Sequence, residues 1–463
     1  MILKPLETKE LPKPLPFSKL IGPSFIILGL GLGSGELILW PNLVSKFGMG
    51  IIWGALLGIT FQFFMNMEIE RYALAHGESV FIGFARKLRW LSIWFILSTF
   101  IPWIWPGIAT ASATIIGSLF GIKEVHYLSV SILILVGLIL SFGSVLYKTV
   151  EHFQKWVTLV GVSFTILLTL YLAKSVHWVA LLKGTVGMGD NYWFLPIGIP
   201  IASFLGALAY AGAGGNLNLA QSSYIREKGY GMGKYTGKIK GLLHGKQNED
   251  IKITGNKFEP TEENIKTFKE WWKVTNKEHA LIFWMTGAIT IALLGLLAFT
   301  TIYGQVGDKK DIEFVLVESS RISQLTTPFV GVFFLIVVAA TLFGTQLGVF
   351  DATSRIISEN IVLSSLKLEE KNIRVVYYAV LWLQILAGII ILSLGLRQPL
   401  QLIIISAVLN AFTMFVHVGL TLWLNLTSLD KQIRPNFFRI LMMVLAFCFY
   451  GFFSIYTIVN QFS

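Results

Sequence analysis

Eleven apolar runs, each about 20 residues or longer, constrain this chain most, because that length lets a helix cross roughly 30 Å of hydrocarbon. Lipid offers no partner to a backbone N–H or C=O, so the runs must be helices that satisfy their own main chain. The expected spans are 20–43, 49–72, 90–119, 127–147, 154–173, 196–222, 280–303, 328–350, 375–395, 400–426 and 437–460. With 54% of residues apolar and 14% charged, a soluble enzyme is excluded. The chain reads as an all-α, multi-pass membrane protein whose most extensive partner is the lipid bilayer.

Charge sets the expected orientation. If the amino terminus is cytoplasmic, about 29 of the 37 Lys and Arg fall on cytoplasmic segments and about 8 outside, the positive-inside pattern. An odd number of spans then puts the carboxyl terminus outside. The net charge of +11 is thereby a property of one membrane face, and it calls for no nucleic acid partner. The expected divisions are a cytoplasmic lead-in (1–19), helices 1 to 5 with helix 6 (20–223), a basic cytoplasmic loop (224–278), helices 7 to 10 (279–426) and helix 11 (427–463).

Two spans are interrupted by glycine: the first at Gly31-Leu32-Gly33-Ser34-Gly35-Glu36, the sixth at Ala211-Gly212-Ala213-Gly214-Gly215-Asn216. A glycine cluster inside hydrocarbon leaves main-chain groups that are tolerable only beside a cavity or a bound solute. The breaks open two matching sets of five helices. Inverted repeats of that kind place both breaks together at the midplane, where secondary transporters bind their solutes.

An ionisable group in a span costs at least about 2.5 kcal/mol, so each needs a reason. Glu36 follows the first break and can hold a metal ion, a sodium ion, a proton or a substrate ammonium, or simply bond the freed backbone. Asn216 follows the second, where an amide serves either a cation or a helix cap. In helix 8, Thr341, Thr345 and Gln346 are candidates for a coupling-ion site, although threonine hydroxyls often bond only to the preceding turn. Asp351 and Arg355 are an i, i+4 pair suited to a gate, and Asn410 in helix 10 is a second gate candidate. Gln62, Asn66, Glu68, Glu70 and Arg71 read as an interfacial charge cluster, and His417 as a packing residue. Pro102 and Pro106 predict a kink in helix 3.

Several functions are excluded or disfavoured. Gly229-Tyr230-Gly231-Met232-Gly233-Lys234 lacks the spacing and the ending of a P-loop, so no nucleotide cofactor is called for. The single cysteine, Cys448, rules out an internal disulfide or a cysteine metal cluster. A cation channel calls for a continuous polar lining and an intramembrane enzyme for a nucleophile with its base or a paired acid set; the sequence shows one local polar centre and no convincing catalytic set, so both are minor readings.

Gly22-Pro23-Ser24-Phe25 resembles the Gly-Pro-Gly-Phe start of the NRAMP divalent-metal transporters, and Gly33-Ser34-Gly35-Glu36 occupies the place of their Asp-Pro-Gly-Asn motif. Asn216-Leu217-Asn218-Leu219 with Ser222-Ser223 is similar to the run after their Met-Pro-His motif. The resemblance implies the LeuT fold, a five-plus-five inverted repeat with discontinuous helices 1 and 6 plus an eleventh helix, within the amino acid-polyamine-organocation superfamily. It implies a substrate site at Gly33, Ser34, Gly35, Glu36, Ala213, Gly214, Gly215 and Asn216. The family's metal-binding aspartate corresponds to Gly33, its asparagine to Glu36, its methionine to Ala213 and its histidine to Gly215. With the soft sulfur gone, two solutes stay open: a hard divalent cation at an oxygen site of Glu36 and Asn216, or an amino acid or other small organic solute carried with sodium or protons. Either implies symport by alternating access.

Overall fold

The computed structural model describes residues 3–16, 20, 22–142, 146–236, 253–305 and 311–462. Among them, ten helices are long and apolar enough to cross a membrane. These are α1 (Pro23–Phe47), α2 (Met49–His76), α3 (Leu91–Phe120), α4 (Val125–Phe142), α5 (Leu146–Leu172), α7 (Glu262–Ile302), α8 (Pro328–Ser364), α9 (Ile373–Ser393), α10 (Pro399–Ser428) and α11 (Phe437–Phe462). Between α5 and α7 lies the interrupted α6, made of Ile201–Ala209, a 3-10 stretch Gly215–Ala220 and Gln221–Lys228. Ten of the eleven expected spans correspond to these helices, and the sixth to the interrupted α6.

Local sequence explains several boundaries. Proline stands in the first turn of α1, α8 and α10, where its missing N–H leaves nothing unpaired. The expected kink in α3 is a break in which helix ends at Trp103 and restarts at Gly107, next to Pro102 and Pro106. Helix α8, 37 residues long, is buried along most of its length against α1, α3, α5 and α9. It is the rod on which the two interrupted helices rest.

Two expectations need correction. Helix α7 begins at Glu262 rather than near 280, so Glu278 and His279 sit inside a helix instead of a loop. The basic segment is not wholly a solvated connector either, although its residues 237–252 lie outside the described set. Met232 and Gly233 are buried with the Met232 carbonyl against Gly77, and Ile253 and Asn256 are buried beyond them. The amino-terminal strand β1 (Glu7–Thr8) pairs in parallel with β2 (Asn256–Lys257). Tyr235 donates to the Glu10 carbonyl at 2.8 Å and the Trp271 indole to the Pro12 carbonyl at 2.6 Å. Amino-terminal segment and loop thus form one cover over the ends of α1, α2 and α6.

Candidate functional site

The first interruption takes a form the sequence analysis did not anticipate. Leu32–Leu39 is π-helical, flanked by regular helix on both sides, so α1 is widened rather than unwound. The cause is one side chain. The Thr345 hydroxyl of α8 donates to the Gly29 carbonyl at 2.7 Å and accepts the Gly33 N–H at 3.1 Å. In an α-helix those two groups bond each other, so Thr345 is inserted into the i→i−4 ladder, a recognised cause of helix distortion. Thr345 is thereby committed to holding α1. Thr341 bonds back to the Val337 carbonyl at 2.7 Å. Each hydroxyl spends its hydrogen on a main-chain carbonyl, and Thr341 keeps both lone pairs of its oxygen.

The second interruption is a true break. Helix stops at Ala209, and Gly214 and Gly215 take φ of +76° and +55°, a left-handed region that favours glycine. Gln62 of α2 spans the gap, its amide donating to the Ala209 carbonyl at 2.9 Å and accepting the Gly214 N–H at 3.3 Å. The His417 ring meets the Gly215 carbonyl at 3.0 Å, which gives that histidine a main-chain partner. Asn410 donates to the Tyr210 hydroxyl at 2.9 Å, and Tyr210 pairs with Ser406 at 2.6 Å. The expected gate residue Asn410 therefore braces the break from α10.

The two interruptions meet. A β-carbon at Gly31 would overlap the Gly212 main chain, and one at Gly35 would overlap the Tyr210 carbonyl. Ser34 and Ala213 are buried in the same contact zone. Only glycine permits so close an approach of two backbones.

The expected ligands divide at this junction. Glu36 is wholly buried, neither carboxylate oxygen has a partner among the described residues, and Oε1 faces Gly287 of α7 beside Leu28 and Ile59. Asn216 points instead to α3, donating to Ser98 at 2.8 Å and Thr99 at 3.0 Å, with its own oxygen unpartnered. No described contact joins Glu36 to Asn216, and no group of three or more His, Cys, Asp or Glu among the described residues is arranged around a metal position. Gln346 lines a small separate cavity with Trp103, Trp105, Tyr210, Ile403 and Ser406.

Asp351 and Arg355 do form the expected ion pair, with guanidinium Nε 2.9 Å from both carboxylate oxygens. Arg355 also reaches Glu227 of α6, and Asp351 accepts from Tyr377 of α9 at 2.9 Å and Tyr224 of α6 at 3.3 Å. Arg226 pairs with Glu359 at 3.2 Å. This buried network ties the second half of α6 to α8. Gln62, Tyr210, Ser406 and Glu227 were not singled out for these roles from the sequence; a polar residue inside a span was the available signal for Gln62, and nothing marked the others.

No protein-family model matches the chain, and no curated protein sequence does. Solved structures resemble it strongly in shape. A manganese transporter variant from Eremococcus coleocola is 13% identical at a TM-score of 0.70, covering 98% of this chain and 90% of that one. The same transporter with an aromatic bis-isothiourea substituted compound is 15% identical at 0.68, with the same coverage. Mhp1, a nucleobase-cation-symport-1 family transporter closed around bromovinylhydantoin, is 11% identical at 0.50, covering 97% and 95%. Likeness at such identities concerns the fold: the chain is an all-α membrane protein with the LeuT fold.

Proposed function

We propose that this protein is a secondary-active transporter that moves a hard divalent cation by alternating access, related to the NRAMP carriers. The observation that carries this reading is the Glu36 carboxylate, buried beside the abutting breaks with both oxygens unpartnered. A buried carboxylate without a partner is among the costliest arrangements a protein can hold, and a cation or a proton relieves it. With Ala213 and Gly215 at the positions of a soft sulfur and an imidazole, oxygen donors suit magnesium or hydrated manganese better than softer metals. Asn216, with its free oxygen, joins the site once the halves of α6 rearrange. The fold likeness to a manganese transporter supports the same substrate class.

The second reading is an organic solute. The cavity at Gln346 carries two buried indole N–H groups, of Trp103 and Trp105, with no partner among the described residues. At about 10 Å³ the cavity holds no more than a water in this conformation, so an organic solute enters it only after the surrounding helices open.

In both readings the halves of α1 and α6 move against α3, α8 and their neighbours, and the Asp351–Arg355–Glu227 network closes the cytoplasmic side. The amino terminus is cytoplasmic and the carboxyl terminus external. Thr341 and Thr345 donate to main-chain carbonyls and keep lone pairs on their oxygens, so sodium and the proton both stay open as the coupling ion. Calorimetric titration of purified protein separates the solutes. Heat with magnesium or manganese alone supports the cation, whereas heat only with an amino acid or a hydantoin in metal-free buffer overturns it in favour of the organic solute.

A further inference from the structure

A second buried cluster lies apart from Glu36, where four elements converge below the breaks. Ser24 stands in the first turn of α1, Glu70 in α2, Gln221 at the start of the second half of α6, and Glu278 and His279 in α7 just before its π-helical stretch Ala280–Met285. All five are buried. Their polar atoms form a continuous chain. Gln221 donates to Glu70 Oε1 at 2.6 Å; His279 Nδ1 lies 3.5 Å from that oxygen and 2.8 Å from Ser24 Oγ; the Ser24 hydroxyl donates to Glu278 Oε2. The ring of His279 lies flat on Phe283, with centroids 4.7 Å apart, and faces Phe63 on its other side at 5.8 Å. That stacking directs Nδ1 to Ser24 and Glu70.

The charges do not balance. Among the described residues, Glu70 Oε2, Glu278 Oε1 and His279 Nε2 have no partner. The neighbouring cations form ion pairs with other carboxylates, Arg71 and Arg439 with Glu68 at 2.7 and 3.3 Å and Lys228 with Glu151 at 2.8 Å, while Lys228 also acts on Glu278 and Arg439 on Glu70 through space. Tyr230, which also faces the cluster, donates to the Leu20 carbonyl. Glu278 additionally faces the amide N–H groups of Gly22 and Ser24 at the amino end of α1, a favourable place for a negative charge. Glu70 has no such amides, and Arg439 offsets only part of the repulsion between two ionised carboxylates in one dry cluster.

We propose that Glu70, His279, Ser24 and Glu278 form a proton site that holds the first half of α1 against α2, α6 and α7. The proposal rests on the alternating-access reading, in which that half of α1 moves. One proton shared along the chain leaves a single negative charge, placed at the amino end of α1. Releasing the proton leaves two negative charges on opposite sides of the joint and drives the elements apart. The proton site is distinct from the cation site, so each can be tested while the other is intact.

The test uses the full-length protein with Cys448→Ser and Leu20→Cys, since Leu20 is buried beside the joint and Cys448 is the sole native thiol. Maleimide labelling is followed across pH, each rate being divided by that of the same cysteine in denatured protein to remove the thiol's own titration. The normalised rate rises as pH rises, by up to about tenfold per pH unit for a one-proton step. Glu70→Gln, which imitates the protonated group, keeps the rate low at every pH, and Glu70→Asp restores the rise. A flat profile in the parent protein, or an unchanged slope in Glu70→Gln, overturns the proposal. Labelling needs no solute: a flat profile in protein that still takes up manganese removes this proposal alone, and a normal profile without manganese uptake removes the divalent-cation reading alone.

Discussion

Gly35 of α1 lies so close to the main-chain carbonyl of Tyr210 in α6 that a β-carbon at position 35 would overlap its oxygen. Residues 175 positions apart in the chain touch backbone to backbone there because position 35 carries no side chain. Gly35→Ala is therefore expected to destabilise the protein by about 3 kcal/mol, the upper part of the range for overpacking, because a rigid main chain cannot give way. A lowered melting temperature in detergent is the check, and an unchanged one contradicts the contact.

Thr345 is expected to act as a wedge in α1. Thr345→Val removes the group that bonds both Gly29 and Gly33, costing about 1–2 kcal/mol and letting the helix re-form its own ladder. Thr345→Ser keeps the hydroxyl and is expected to keep both stability and uptake. Equal loss in the two variants contradicts the wedge. Sodium titration of uptake is expected to be the same in wild type and Thr345→Ser.

Arg355 neutralises a pocket that also holds Asp351 and Glu227. Arg355→Met leaves both carboxylates buried without their cation, a loss of about 3–5 kcal/mol for a broken buried pair. Thermal unfolding measures it, and a change below about 1 kcal/mol contradicts the assignment of this network as a structural lock.

The helix count, the break in α6 and the kink at Pro102 were legible in the sequence because each depends on residues next to one another. The π form of α1 was not, since it is produced by a hydroxyl 312 positions away. The site was half legible. The π-helical stretch of α1, which contains Glu36, abuts the break in α6, but which helix a side chain faces is a tertiary fact, and Asn216 faces α3 instead of Glu36. Glu70 read as an interfacial charge because it lies near the end of a span. It is buried against Gln221 of α6 and His279 of α7, which lie 151 and 209 positions away, and no local pattern announces them.

Between α7 and α8 the helix Glu313–Leu325 buries Glu318 beside Thr301, and loss of hydration pushes its carboxyl from the ordinary 4.5 up to about 8. A carboxyl raised in the folded state stabilises fully below its unfolded value, and that contribution is lost as pH rises through the folded one. The melting temperature is thus expected to fall between about pH 4.5 and pH 8. In Glu318→Gln this part of the slope should vanish, and an identical slope in both proteins contradicts the assignment.

The most direct measurement is manganese uptake into proteoliposomes by wild type and Glu36→Ala. The account predicts that uptake falls to the rate of protein-free vesicles while the variant melts no lower than wild type, because an unpartnered buried carboxylate has been removed. Wild-type uptake by a folded Glu36→Ala protein would contradict it.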